Sequence, residues 1–139
     1  MIALVPVIGI SIQNAFMYGN KVLLQEWKEG KKIMCGVIED MRGERYFALP
    51  SVEVTNEKLL DVYDAMLKRI RETASKAHTA LGCRHYSTVT MLLQGTKLSL
   101  LEVNTLPELT ARSPFLRAAQ ASGIEFHQFL NHLLNLASL

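Results

Sequence analysis

Between Asn56 and Leu81 the apolar residues recur every three or four positions: Leu59, Tyr63, Met66, Leu67, Ile70, Ala74, Ala77 and Leu81. That period predicts an amphipathic helix, capped at its start by Thr55 or Asn56 and stopped by Gly82. The flanking segments read differently. Val22–Trp27 and Lys32–Glu39 are β-rich runs around a Gly-containing turn, and Arg45–Val54 is a third run in which Pro50 implies an edge strand or a bulge, so a three-stranded antiparallel meander is expected there. Ser87–Gln94 and Lys97–Val103 flank Gly95 and Thr96 as a second hairpin. Ser113 and Pro114 then supply an N-cap and a first-turn proline for a helix through Ala121, which Gly123 stops. The apolar stripe of Phe126, Phe129, Leu130, Leu133, Leu134 and Ala137 predicts a last helix. Strands, long helix, hairpin and two helices in that order make the expected class α+β, with residues 1–139 as one domain.

With 49% hydrophobic and 20% charged residues, the chain can bury a core of its own. Its 15 basic and 13 acidic side chains leave a net charge of +2 and are scattered, which argues against nucleic acid as a partner. The short basic run Lys28–Lys32 reads as a solvated hairpin turn. The apolar opening "MIALVPVIGISI" has no basic leader, contains Pro6 and Gly9, and is too short to span a bilayer. It reads as a buried strand, and no membrane association is expected. Cys35 and Cys83 lie in apolar settings without a CxxC pattern, as reduced residues of a cytoplasmic protein would. His78, in the last turn of the long helix, reads as a capping or core-edge residue. His127 and His132 are five apart, a poor spacing for a shared metal.

The stretch "LLEVNTLPELTARSP" holds the one constellation with chemistry in it. Residues two apart in a strand share a face, so Glu102 and Asn104 aim their oxygens at one region, as a hard cation requires. The partner strand is expected to offer Thr88 and Thr90. A solvated strand end before a proline turn accounts for the same residues.

The runs "ALGCRHYSTVT" and "LLEVNTLPELTARSP", the helix that follows, and "AFMYGNKVLLQEWKEGKKIMCGVI" upstream together resemble the C-terminal half of D-alanine–D-alanine ligases, of the ATP-grasp superfamily. The resemblance implies an antiparallel sheet packed with helices. It also implies ATP and Mg²⁺ as cofactors, and D-alanine as a substrate joined to a second D-alanine through an acylphosphate for peptidoglycan synthesis. By resemblance, Glu102 and Asn104 would hold Mg²⁺, Ser113 would contact the acceptor carboxylate, and Gln25, Glu26, Trp27 and Lys28 would line the adenine. Ligases of this family commonly dimerise, so a homodimer is a further implication.

The chain also departs from the family pattern. Thr90 stands where the family has a metal-binding Asp, Thr88 where it has an Arg that steadies the phosphoryl group, and Glu108 where it has a Gly facing the oxyanion. Gln25 and Lys32 replace nucleotide-contacting glutamates, and a lysine has no acceptor to offer a ribose hydroxyl. The family's substrate-covering loop is expected to be reduced to Thr55 between strand and helix. The phosphate loop is expected to be reduced to "VPVIGISI" and the N-terminal domain to be absent. Two readings follow: a ligase domain inactive by itself, or a non-catalytic remnant serving as a scaffold or weak Mg·nucleotide module.

Overall fold

Lys31–Met41 forms strand β1, and its run from Ile33 to Ile38 is buried on both faces. A run without polar alternation belongs in the centre of a sheet covered on both sides. The computed structural model describes residues 4–24, 26–110 and 112–138, with side chains from residue 9 onward. Around β1 the chain adds β2 (Glu44–Ala48), β3 (Val52–Glu53), β4 (Lys58–Leu59), β5 (Tyr86–Gln94) and β6 (Lys97–Asn104). The helices are α1 (Leu4–Phe16), α2 (Asp64–Ala80), α3 (Pro114–Ala121) and α4 (Phe126–Ala137). The six-stranded sheet runs β4-β3-β1-β5-β6, with β2 pairing β1 beyond β3, and every pairing is antiparallel.

Each face of the sheet carries its own core. On one face Met66, Ile70 and Ala74 of α2 pack on Ile33, Cys35, Val37, Val89 and Met91. On the other, Phe115, Leu116, Ala118 and Ala119 of α3 and Phe129 of α4 pack on Met34, Ile38, Leu49 and Val52. Gly36 permits the second packing. A Cβ there would lie 2.7 Å from Leu49 Cδ1 and 2.9 Å from the Phe115 ring, closer than carbon atoms approach.

The helix expected from Asn56 begins later, at Asp64, with Tyr63 as its N-cap. Asn56 caps a turn instead: its Oδ1 accepts from Lys58 N at 3.0 Å, and β4 folds back onto β3, where Leu60 N donates to Ser51 O. Pairing with β3 satisfies this backbone, so the helical period of Leu59 and Tyr63 is overruled. The joint between strand and helix is therefore longer than Thr55 alone. At the other end the expectation stands. Gly82 has φ +62°, Gly82 N bonds Thr79 O, and Cys83 N bonds His78 O, which together make a Schellman stop.

Two N-terminal expectations are corrected. Leu4–Phe16 is a helix and not a buried strand, and no strand forms among the described residues of 22–27. Neither segment pairs with the sheet, in which β5 takes one side of β1 and β2 and β3 take the other. A helix satisfies its backbone within itself and needs no neighbouring strand, and Pro6 falls in the first turn, where a missing N–H costs nothing. Among the described residues no helix is long and apolar enough to cross a membrane.

His78 is fully buried and ties α2 to the sheet. Its Nδ1 lies 2.7 Å from Ser87 Oγ and its Nε2 3.4 Å from Glu39 Oε1, while His132 of α4 bonds Glu39 O at 2.7 Å. Cys35 is buried as expected, and burial pushes its thiol from 9.0 up to about 12. Because the folded value lies above the unfolded one, the stability it confers is intact below pH 9 and erodes as pH rises from 9 toward 12. Iodoacetamide at pH 8 is expected to modify Cys83 alone in the native chain and both cysteines in denaturant. Mass spectrometry of tryptic peptides checks this, and rapid native labelling of Cys35 would contradict it.

Candidate functional site

The geometry around Glu102 depends on a β-bulge. Along β6, Leu98 pairs with Leu93 and Leu100 with Met91, and Leu98 packs into the α2-side core. The next pair is Glu102 with Thr90, so Leu101 is an extra residue with no partner of its own. The bulge reverses the phase of the strand. Val103 now joins the α2-side core, and Glu102 and Asn104 turn to the α3 face. Without it, strict alternation would point both side chains into apolar packing.

Opposite them stand the expected threonines, with Thr88 pairing Asn104 and Thr90 pairing Glu102. Thr90 Oγ1 donates to Glu102 Oε1 at 3.1 Å. Asn104 Oδ1 accepts from Leu106 N at 2.9 Å, so the amide oxygen first serves to turn the chain toward Pro107. Ser113 is the N-cap of α3, its Oγ accepting from Leu116 N at 3.3 Å, which leaves its own O–H free to donate. Glu102, Asn104, both threonines, Ser113, Lys32 and Glu108 line one cleft of about 170 Å³ floored by Met34 and Phe115.

Lys32 also borders a second cleft of about 670 Å³ formed by Glu26, Trp27, Lys28, Glu29, Gly30, Leu92 and Leu101. The structure therefore brings the two groups of expected site residues to neighbouring hollows joined at one lysine. Gln25 lies outside the described residues. Glu26 and Lys28 pair with each other at 3.3 Å, and Trp27 is 88% exposed in irregular chain. A lining strand was expected there, but the described residues of this segment pair with no strand of the sheet.

Among the described residues no group of three or more His, Cys, Asp or Glu side chains could hold a metal ion. The donors fit a divalent ion in a minimal way: one carboxylate, one amide oxygen already shared with the backbone, and a hydroxyl. Mg²⁺ accepts such a set when phosphate and water oxygens complete its shell. The bulge at Leu101 is the feature that sequence reasoning missed. The crowding of Leu100 and Leu101 before Glu102, two apolar residues where alternation allows one, is its only trace in the sequence.

The family model described as the D-ala D-ala ligase C-terminus matches residues 7–135. The D-alanine–D-alanine ligase of Desulforudis audaxviator is 40% identical over 145 residues, covering 91% of this chain and 46% of its own. That of Syntrophobacter fumaroxidans is 28% identical over 150 residues, covering 94% and 47%. The chain thus spans just under half the length of these curated relatives. Of solved structures, the ATP complex of the ligase from Bacillus anthracis superposes with a TM-score of 0.79 at 22% identity, over 94% of this chain and 44% of that one. The ligase from Coxiella burnetii gives 0.80 at 21%, over 94% and 38%. These two likenesses speak to the fold.

Proposed function

The chain belongs to the D-alanine–D-alanine ligase family, matching its C-terminal part, and from that premise we propose that it is an ATP-grasp domain without ligase activity of its own, retaining a weak Mg·nucleotide site. Relatives of this kind imply ATP, Mg²⁺ and D-alanine as the ligands to test. The observation that carries the reading is the Thr90–Glu102 hydrogen bond at 3.1 Å. It puts a neutral hydroxyl directly opposite Glu102 across the hairpin, at the position where a second carboxylate would face it.

Phosphoryl transfer is catalysed mainly by neutralising charge as it moves, so a site is judged by the charges it presents. Here Glu102 and Asn104 would hold Mg²⁺, which when bound supplies that neutralisation. Lys32 offers one cation at the mouth. Glu108 lines the same cleft and opposes an approaching anion. Ser113, fixed as an N-cap, can donate one hydrogen bond to a carboxylate. Completion by a second chain would add groups around this cleft but would leave Thr88 and Thr90 as they are.

Thr90→Asp tests the reading, since the register places that side chain directly opposite Glu102. Without metal the variant is expected to melt below the parent, because two carboxylates then face each other. Millimolar Mg²⁺ with ATP is expected to raise its melting point by several degrees, and that of the parent by less. Glu102→Ala is expected to abolish both responses. Coincident melts with and without Mg·ATP, or an equal response in Glu102→Ala, would remove the inherited site.

A further inference from the structure

Three of the helices bury side chains against the sheet: Met66, Ile70 and Ala74 of α2, Phe115 and Leu116 of α3, and Phe129 of α4. The remaining helix, α1, does not. From residue 9 to residue 24 no described side chain is buried, and neither core of the sheet includes a residue of this stretch. Yet its composition is that of a covered element. Leu4–Phe16 contains no charged residue. Ile10, Phe16, Met17, Tyr18, Leu23 and Leu24 are all exposed, Tyr18 at 92% and Leu23 at 80%. Large apolar side chains crowded into one uncovered stretch mark an interaction surface, whereas scattered ones would need no explanation. A helix of 13 residues is marginal in water by itself, because most helical stability comes from packing an apolar face.

The lengths of the relatives say what covers it. The ligase of Desulforudis audaxviator matches this chain over 46% of its own length, and the family model that matches residues 7–135 describes the C-terminal part. In such a relative the unmatched half precedes the stretch equivalent to α1, so α1 and its exposed apolar side chains lie at the junction with that half. A lipid surface suits α1 less well, since interfacial helices present a cationic polar face and α1 has no charge. A second copy also suits it less well. Two helices each about 20 Å long bury far less in contact than the roughly 1,600 Å² of a stable interface.

We propose that α1 and the residues through Leu24 dock a separate polypeptide equivalent to the N-terminal half of a D-alanine–D-alanine ligase. Phe16, Met17, Tyr18, Leu23 and Leu24 supply the apolar contact. Glu26 and Trp27, which follow closely, place the bound chain beside the larger cleft. This docking needs neither Mg²⁺ nor nucleotide.

Co-expression of the tagged full chain with the N-terminal half of the Desulforudis audaxviator ligase, ended where its match to this chain begins, tests this in buffer containing EDTA. An equimolar complex is expected on affinity and size-exclusion columns, with residues 9–24 protected from hydrogen exchange relative to the chain alone. Phe16→Asp and Leu23→Asp should each weaken the complex at least about tenfold. Leu134→Asp, at an exposed apolar position of α4, should leave it intact. None of these three side chains is buried, so all three variants should melt with the parent. Recovery of the tagged chain alone, retention of the complex by both Phe16→Asp and Leu23→Asp, or an equal loss with Leu134→Asp would overturn the proposal. Self-association of the chain that Phe16→Asp abolishes would assign the surface to a second copy and overturn it as well. Because metal and nucleotide are absent from this experiment, its failure leaves the Mg·nucleotide reading standing, and coincident Mg·ATP melts would leave the docking standing.

Discussion

Mixed with ATP, Mg²⁺ and D-alanine, the purified chain is expected to release no more phosphate than its Glu102→Ala variant. Loss of one preorganised electrostatic donor typically lowers a rate by ~10²–10³. In this cleft the positions opposite Asn104 and Glu102 are Thr88 and Thr90, both neutral, and Glu108 adds a negative charge to the same lining. Deficits acting on one transition state combine, so the expected activity falls below detection. The measurement is a coupled phosphate assay with D-alanine omitted as the blank. A D-alanine-dependent rate that disappears in Glu102→Ala would refute the non-catalytic reading.

Phe129→Ala is expected to cost about 3–5 kcal/mol of stability, the range for emptying an aromatic from a closed core. Phe129 is fully buried, with its ring 5.2 Å from Phe115 and 5.4 Å from Tyr86 between centroids. Those contacts hold α4 and α3 on the sheet, and α3 in turn places Ser113 and Phe115 at the cleft. A domain has about 5–15 kcal/mol in total, so the variant should lose much of its folded population at moderate urea. Leu134→Ala, at an exposed position of the same helix, should move the urea midpoint little. Equal midpoints for the two variants would show that α4 does not close the core.

Much of this architecture was legible in the residues themselves. The stop at Gly82, the Ser113–Pro114 start of α3, the stripe of α4 and the β5–β6 hairpin all rest on interactions within a few residues of one another, which local patterns encode directly. The run Ile33–Ile38 marked a strand, whereas Pro50, read as an edge or bulge within one strand, lies between two separate strands, β2 and β3. Thr88 and Thr90 were legible only as candidates: the register set by the turn at Gly95 and Thr96 would put Leu101 opposite Thr90 and Val103 opposite Thr88, and the bulge brings Glu102 and Asn104 there instead.

What local patterns could not supply was the allocation of sheet edges. Val22–Trp27 and the N-terminal apolar run have strand-like composition, yet neither joins the sheet: the described residues of 22–27 form no strand, and Leu4–Phe16 closes its own bonds as α1. Leu59 and Tyr63 keep the helical period, yet β4 takes Lys58 and Leu59 because β3 offers a free edge there. The sequence by itself determined that Glu102 and Asn104 share a face, since alternation is a property of any strand. Which face they share was decided by the tertiary structure: the α2-side core takes both Leu98 and Val103 from β6, and only the extra Leu101 lets the two enter that core while Glu102 turns to the other side.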